Sequence, residues 1–188
     1  MLREEGQRLA RLTENVLTWS RRERGKLQLD PRPCDPEAVL ADVARLFEPL
    51  LARRAIALHR HGPPVAGPRL LDPDALTQIV ANLFSNVEKY AGREATLDFT
   101  VAADASTITL TVADDGPGIP PGAEARILAP FERLDDSVNS GSAGAGLGLA
   151  IARDLATRLG GTLRLVRTEH GARFALCIPS PVAASLPC

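Results

Sequence analysis

The chain has 188 residues, 22 basic against 23 acidic, with a formal charge of −1. That length suggests one domain, or one domain with an extension, and the balanced charge gives no global field that would favour nucleic acid or an anionic membrane. Apolar residues make up 45% and aromatic residues only 4%, so a full core must be built mainly from Leu, Ile, Val and Ala. The cysteines, Cys34, Cys177 and Cys188, are odd in number and widely spaced. They suggest neither a disulfide framework nor a zinc site, and read as unpaired thiols in a reducing compartment. The amino terminus, MLREEGQRLARL, is too charged for a signal peptide, and no apolar run is long enough to cross a bilayer. These features predict a soluble, cytoplasmic chain with no direct membrane contact.

Leu9, Leu12, Val16 and Trp19 are spaced three, four and three apart, a heptad seam in a charged helix over about residues 2–24. The stripe needs a partner. The helix either lies on its own domain or is one arm of a dimerising hairpin, and its polar flanks favour the hairpin and a homodimer through residues 1–24. Gly25 ends this helix, a short extended piece follows at Leu27–Leu29, and DPRPCDP reads as a proline-rich turn. Asp35-Pro36 starts the next helix, which runs to about Arg54: the carboxylate caps backbone N–H groups and proline suits the first helical position. IALHR (56–60) reads as a strand and HGPPVAGP (61–68) as a loop. Asp72-Pro73 repeats the cap-plus-proline start.

Residues 95–104 and 106–115 alternate apolar and polar positions, as an antiparallel hairpin does. Residues 116–146 form a long segment rich in Gly, Pro and Ser, a length that in compact domains goes with function or disorder. A helix starts near Gly146 and is stopped by Gly160-Gly161. GTLRLVRT and GARFALCIP give the last strands, and residues 181–188 a loose tail. Helices and strands are segregated, so the fold class is α+β: a two-layer sandwich of a mixed, mainly antiparallel sheet covered by helices. The domain plan is a partial dimerisation helix and connector at 1–30, a catalytic domain at 31–180 and the tail.

Three stretches carry chemistry. The first is NLFSNVEKY, residues 82–90. Ile79, Val80, Leu83, Phe84 and Val87 make the apolar face of a helix, while Asn82, Asn86 and Lys89 line another stripe at spacings of four and three. A solvated face explains the lysine but not the amides, since asparagine is a mediocre helix former. An amide oxygen suits a Mg²⁺ ion that keeps several waters and binds phosphates, and lysine would meet those phosphates as a point charge. The second is ADDGPGIP, residues 113–120, at a strand end. Asp114 can accept a hydrogen bond from an exocyclic amine such as adenine's, and Gly116 and Gly118 allow close backbone approach; alone, Asp-Gly is a common turn. The third is GSAGAGLGLAI, residues 141–151, where Gly144, Gly146 and Gly148 lead into a helix whose first N–H groups can bind phosphate. It lacks the Lys-Ser/Thr of a P-loop and the preceding strand of a dinucleotide fingerprint. Leu147, Leu149, Ala150 and Ile151 make its end a packed helix rather than a flexible linker.

NLFSNVEKY, DDGPGI, PFERLDD and GAGLGLAI occur in this order and together resemble the ATP-binding catalytic domain of bacterial sensor histidine kinases, within the Hsp90, MutL and gyrase-type ATPase superfamily. The resemblance covers about residues 36–180, and RLARLTENVLTWSRRERGKLQLDP is similar to the second helix of the kinases' dimerisation domain. It implies ATP and Mg²⁺ as cofactors. By it, Asn86 ligates the metal, Asn82 supports the same site, Lys89 meets phosphate, Tyr90 lies along adenine and Asp114 bonds the adenine amine. Gly116 and Gly118 shape the pocket floor. Phe131 and Arg133 belong to a lid over 130–145, Arg133 as a phosphate contact, and Gly144, Gly146, Leu147 and Gly148 cradle the phosphates. Ala145 is a mild departure, and Glu88 has no assigned role.

The resemblance also implies two partners, the phosphoacceptor helix of the parent kinase and a response regulator. The acceptor histidine of such kinases lies on a helix and is typically followed by an acidic residue. His59, His61 and His170 are followed by Arg60, Gly62 and Gly171, and none falls in a predicted helix. The chain therefore reads as the catalytic portion of a larger kinase, with a parent that is often membrane-anchored in this family. Other readings are an ATP-hydrolysing superfamily member, an anti-sigma serine kinase and a non-catalytic nucleotide-binding scaffold. Asn82 stands where hydrolysing members carry an acidic residue, which argues against the first. The heptad helix argues against the second, and the intact glycines and Asn86 against the third.

Overall fold

A computed structural model describes residues 28–132 and 146–183. The helix expected over 2–24 and its dimer contact, together with Arg133, Gly144, Ala145 and residues 184–188, lie outside the described residues. The first described elements are β1 (Arg32–Cys34), α1 (Pro36–Ala52), β2 (Ala57–His61), β3 (Arg69–Leu71) and α2 (Pro73–Tyr90). The hairpin β4 (Thr96–Ala103) and β5 (Thr107–Asp114) follows, then a single turn α3 (Glu124–Ile127), α4 (Gly148–Arg158), β6 (Thr162–Val166) and β7 (Arg173–Pro179).

Five strands form one sheet in the order β2-β4-β5-β7-β6, parallel only between β2 and β4. This is the mixed, mainly antiparallel sheet that the alternating strands predict. Along β4, Leu97, Phe99 and Val101 are buried, as are Ile108, Leu110 and Val112 on β5 and Phe174, Leu176 and Ile178 on β7. Their neighbours in sequence point to the opposite side, so one face packs under helices and the other stays open. Phe84 of α2 ties the layers together. Its ring lies 5.7 Å from Phe47 of α1, edge to face, and 5.5 Å from Phe99 of β4, separations that favour aromatic pairs.

Both Asp-Pro starts hold. The Asp35 carboxylate accepts from the Glu37 N–H at 2.9 Å. The Asp72 carboxylate accepts from the Asp74 and Ala75 N–H groups, both at 2.9 Å, and from the Asp30 N–H at 2.8 Å. That last bond draws the chain before α1 against the start of α2. It also bears on the first departure from expectation. Residues 32–34, read as a turn, and residues 69–71, assigned to no element, pair as a small antiparallel ladder, Arg32 with Leu71 and Cys34 with Arg69. Three residues show too little alternation to announce a strand, and Pro33 is tolerated because this strand is an edge.

The second departure is the tail. Residues 181–183 are held rather than loose: the Pro181 carbonyl accepts from the Leu70 N–H at 3.0 Å, and the Ala183 N–H donates to the Pro68 carbonyl at 2.9 Å. Arg69 is 4% exposed and donates to the carbonyls of Asp104 and Ser180 at 2.6 and 3.0 Å. A buried guanidinium requires such acceptors, and they come from the β4–β5 turn and the chain after β7. No described helix is long and apolar enough to cross a membrane.

The β4–β5 turn is closed by Asp104. Its carboxylate accepts from the Ser106 and Thr107 N–H groups at 2.8 and 2.9 Å and from the Thr107 hydroxyl at 2.7 Å. These bonds, the Ser106 N–H first, hold the carboxyl down to about 2. The sign follows from a folded value below the unfolded value of about 3.9: the stabilisation is present above the unfolded value and is lost as pH falls toward 2. A carboxyl-carbon NMR titration is expected to give Asp104 a midpoint near 2, and a midpoint near 4 would mean that the turn is open in solution.

Candidate nucleotide site

Helix α2 is amphipathic in a way that forces its polar side outward. Ile79, Val80, Leu83 and Phe84 are 0% exposed and Val87 is 1%. Asn82, Asn86, Glu88 and Lys89 are half-buried and Tyr90 is exposed. The N-terminus of α4 comes against this side. A Cβ built on Gly148, the first residue of α4, would lie 3.2 Å from the Asn82 Oδ1. The Asn82 Nδ2 is buried and finds no acceptor among the described residues. At the same place α4 begins without a side-chain cap, so its first N–H groups lack the usual partner. An uncapped helix start beside an unpaired amide donor is a set of donors suited to phosphate oxygens.

Of the expected loop residues, Gly146 and Leu147 are described beside this helix start. Gly146 stands against the main chain of Phe131 and Glu132, and the Phe131 N–H donates to the Gly146 carbonyl at 3.1 Å. The two ends of the segment between them therefore meet. Leu147 is 2% exposed; its side chain belongs to the core, and only its main chain can serve a ligand. Glu88 acquires a structural explanation, an ion pair with Arg54 at 3.0 Å that joins α2 to the end of α1.

Asp114 closes the far side. It is the last residue of β5, and its Oδ1 accepts from the Gly116 N–H at 3.0 Å and the Ala172 N–H at 3.2 Å. Its Oδ2 accepts from no donor among the described residues. Burial pushes the carboxyl above its ordinary value, against the two N–H bonds and with a smaller push from Asp115. A Cβ on Gly116 would lie 2.6 Å from the Ala91 main chain at the end of α2. The glycine locks α2 to the strand end. Gly118 lies against the Gly171 carbonyl.

Gly171 and Ala172 are the residues that sequence reasoning missed. A Cβ on Gly171 would stand 1.7 Å from the Asp114 carbonyl oxygen, so only glycine lets the turn before β7 reach the site. The signal in the sequence was a turn glycine before a strand, which names a turn but not its neighbour. Two clefts of about 370 and 250 Å³ are lined by other residues, and neither includes Asn82, Asn86 or Asp114.

The α+β fold, with helices over one face of a mixed sheet, is that of the histidine-kinase type of ATPase domain. The family comparison agrees: residues 71–182 match the histidine kinase-, DNA gyrase B- and HSP90-like ATPase model, and the chain belongs to that family. Among curated proteins it is similar to the sensor histidine kinase RcsC of Escherichia coli K12, 29% identical over 91% of this chain and 18% of RcsC. It is 31% identical to the sensor protein KdpD of the same strain over 94% of this chain and 19% of KdpD. With RstB, also of that strain, identity is 32% over 91% of this chain and 39% of RstB. The chain thus spans well under half of each. Among solved structures it is similar to full-length ShkA in complex with AMPPNP, at 32% identity and a TM-score of 0.82 over 98% of this chain and 38% of that one. The Acinetobacter baumannii histidine kinase AdeS shares the fold, at 23% identity and a TM-score of 0.75 over 95% and 81% of the two chains.

Two predictions test this geometry. Because the folded Asp114 carboxyl titrates above its unfolded value, its contribution to stability is full below about pH 3.9 and is lost as pH rises through the folded value. Urea unfolding across this range is expected to show a fall in parent stability that Asp114→Asn lacks; coincident pH profiles would mean that the carboxyl is not desolvated. Gly171→Ala is expected to cost about 1–3 kcal/mol, the usual price of overpacking, read as a lowered urea midpoint, and no change would show that the turn does not press on Asp114.

Proposed function

We propose that this chain is the catalytic ATP-binding portion of a two-component sensor histidine kinase. It binds Mg-ATP, and the γ-phosphoryl group goes to a histidine that is none of its own three, for relay to a response-regulator aspartate. The observation that carries this reading is the meeting of the Asn82 amide with the uncapped start of α4, together with Asp114, whose Oδ2 accepts from no donor among the described residues. Bound Mg-ATP supplies the transferable phosphoryl group. Asn86 offers an amide oxygen to the metal, and Asn82 donates beside it. Lys89 meets phosphate charge, with Arg133 and the main chain of Gly144, Gly146, Leu147 and Gly148 holding the remaining oxygens. Asp114 accepts from the adenine amine through Oδ2, and Tyr90 lies along the base, with Gly116 and Gly118 beneath it. These groups act by positioning and charge stabilisation, which is most of what phosphoryl transfer asks of a protein.

Support comes from several directions. ShkA, the solved structure 32% identical to this chain, holds AMPPNP, and RcsC, KdpD and RstB are sensor proteins. ThkA, which shares the fold at 20% identity, forms a complex with the response regulator TrrA. His59 and His61 lie on a strand and His170 in a turn, whereas an acceptor histidine of this class stands on a helix. The dimerisation helix at residues 1–24 and a cytoplasmic location belong to the same proposal.

Calorimetry is expected to show one equivalent of Mg-ATP bound, with a weaker response in EDTA. Asp114→Ala and Asn86→Ala are each expected to weaken binding about ten-fold to a hundred-fold, the worth of a hydrogen bond to a charged group. Unchanged binding in both variants would remove the proposed site. Acid-labile label accumulating on the chain alone would overturn the assignment of the acceptor elsewhere.

A further inference from the structure

The open face of the sheet carries a second cluster. β2 and β4 run parallel with His59 opposite Asp98. His59 and His61 are two apart on one strand and so share a side. That side faces away from the helices, because Leu97 and Phe99, on either side of Asp98, are buried in the core. The two imidazoles stand edge to face with centroids 6.2 Å apart. The Asp98 Oδ1 lies between them, 3.3 Å from the His59 Nδ1 and 2.7 Å from the His61 Nε2. One ligand atom from each of the three residues falls within 4.8 Å of the others.

Two imidazoles and one carboxylate are the donors that borderline transition ions take, with nitrogen and oxygen at about 2.0–2.2 Å. Donors around a tetrahedral ion at that distance stand about 3.3 Å apart; the His59 Nδ1 stands at 3.3 Å from the Asp98 Oδ1, and the His61 Nε2, at 2.7 Å, has to draw back from it. The side chains are each about half exposed, so small rotamer changes close the set without moving the strands. We propose that His59, His61 and Asp98 bind one borderline divalent transition ion, of the zinc class, on the sheet face opposite the nucleotide site. The cleft of about 370 Å³ that His61 and Asp98 share with Thr100, Thr111 and Arg173 leaves room for water at the ion's open positions. This inference is independent of the nucleotide reading, since none of its residues belongs to that site.

The test is a zinc chloride titration of the untagged, ¹⁵N-labelled chain under reducing conditions, without nucleotide, followed through the imidazole ring nitrogens. His59 and His61 are expected to shift together and saturate at one equivalent, while His170, outside the cluster, stays still. His61→Ala and Asp98→Asn are each expected to weaken zinc binding by at least about ten-fold, since even a second-shell loss costs that much. Both substitutions are on an exposed face, and a circular-dichroism melt confirms that the variants fold. Three outcomes would overturn the proposal: no shift at a large excess of zinc, all three imidazoles shifting alike, or the two variants binding as the parent does. Each would reduce the cluster to a histidine–aspartate ion pair or leave zinc to the thiols.

Discussion

The burial of one face of α2 is the constraint on which the candidate site depends. Ile79, Val80, Leu83, Phe84 and Val87 are each at most 1% exposed, and Phe84 is fixed between rings on α1 and β4. A helix so held has no rotational freedom. Its polar side must look away from the sheet, and residues at spacings of three and four stay in line along it. Asn82 and Asn86 are thus positioned by the apolar residues around them. The Asp72 cap and the Arg54–Glu88 ion pair fix the two ends of the same helix, so its position along its axis is constrained as well as its rotation.

The opposite wall is set by close contact where no side chain fits. At Gly116 and Gly171 a Cβ would collide with the main chain of Ala91 and of Asp114. These contacts bring the end of α2, the end of β5 and the turn before β7 to one point. The Asp114 carboxylate is half-buried at that junction and accepts from two backbone donors, which orient it. Among the described residues only its Oδ1 is bonded, which leaves Oδ2 able to accept from the adenine amine that we propose it meets.

How far this was legible depended on the range of each interaction. The α2 stripe could be read because helical periodicity and an Asp-Pro cap are local and lie within one segment of sequence. Strands β4, β5 and β7 were legible for the same reason, each alternating over seven or eight residues. The β1–β3 ladder was not, since three residues show no period and their pairing rests on partners far along the chain. Ala172 bonds Asp114 from 58 residues away, and nothing around Ala172 announces that contact. Glu88 could not be explained until the end of α1 brought Arg54 beside it. Arg133, Gly144 and the amino-terminal heptad lie outside the described residues, so their parts in the site rest on sequence alone.

The same strand alternation that builds the core also makes the two sheet faces independent. On β4, Leu97 and Phe99 answer to the helices, and a change there would be felt at α2 through Phe84. Asp98 answers only to what lies on the open face, where His59 and His61 of an edge strand are its neighbours. A solvated sheet face needs polar residues, and threonine would serve: Thr100 and Thr111 do so nearby. Two histidines converging on one carboxylate oxygen are more specific than solvation requires. A cation among the three would take one electron pair from each ring nitrogen and from the carboxylate, the donor set that borderline ions prefer.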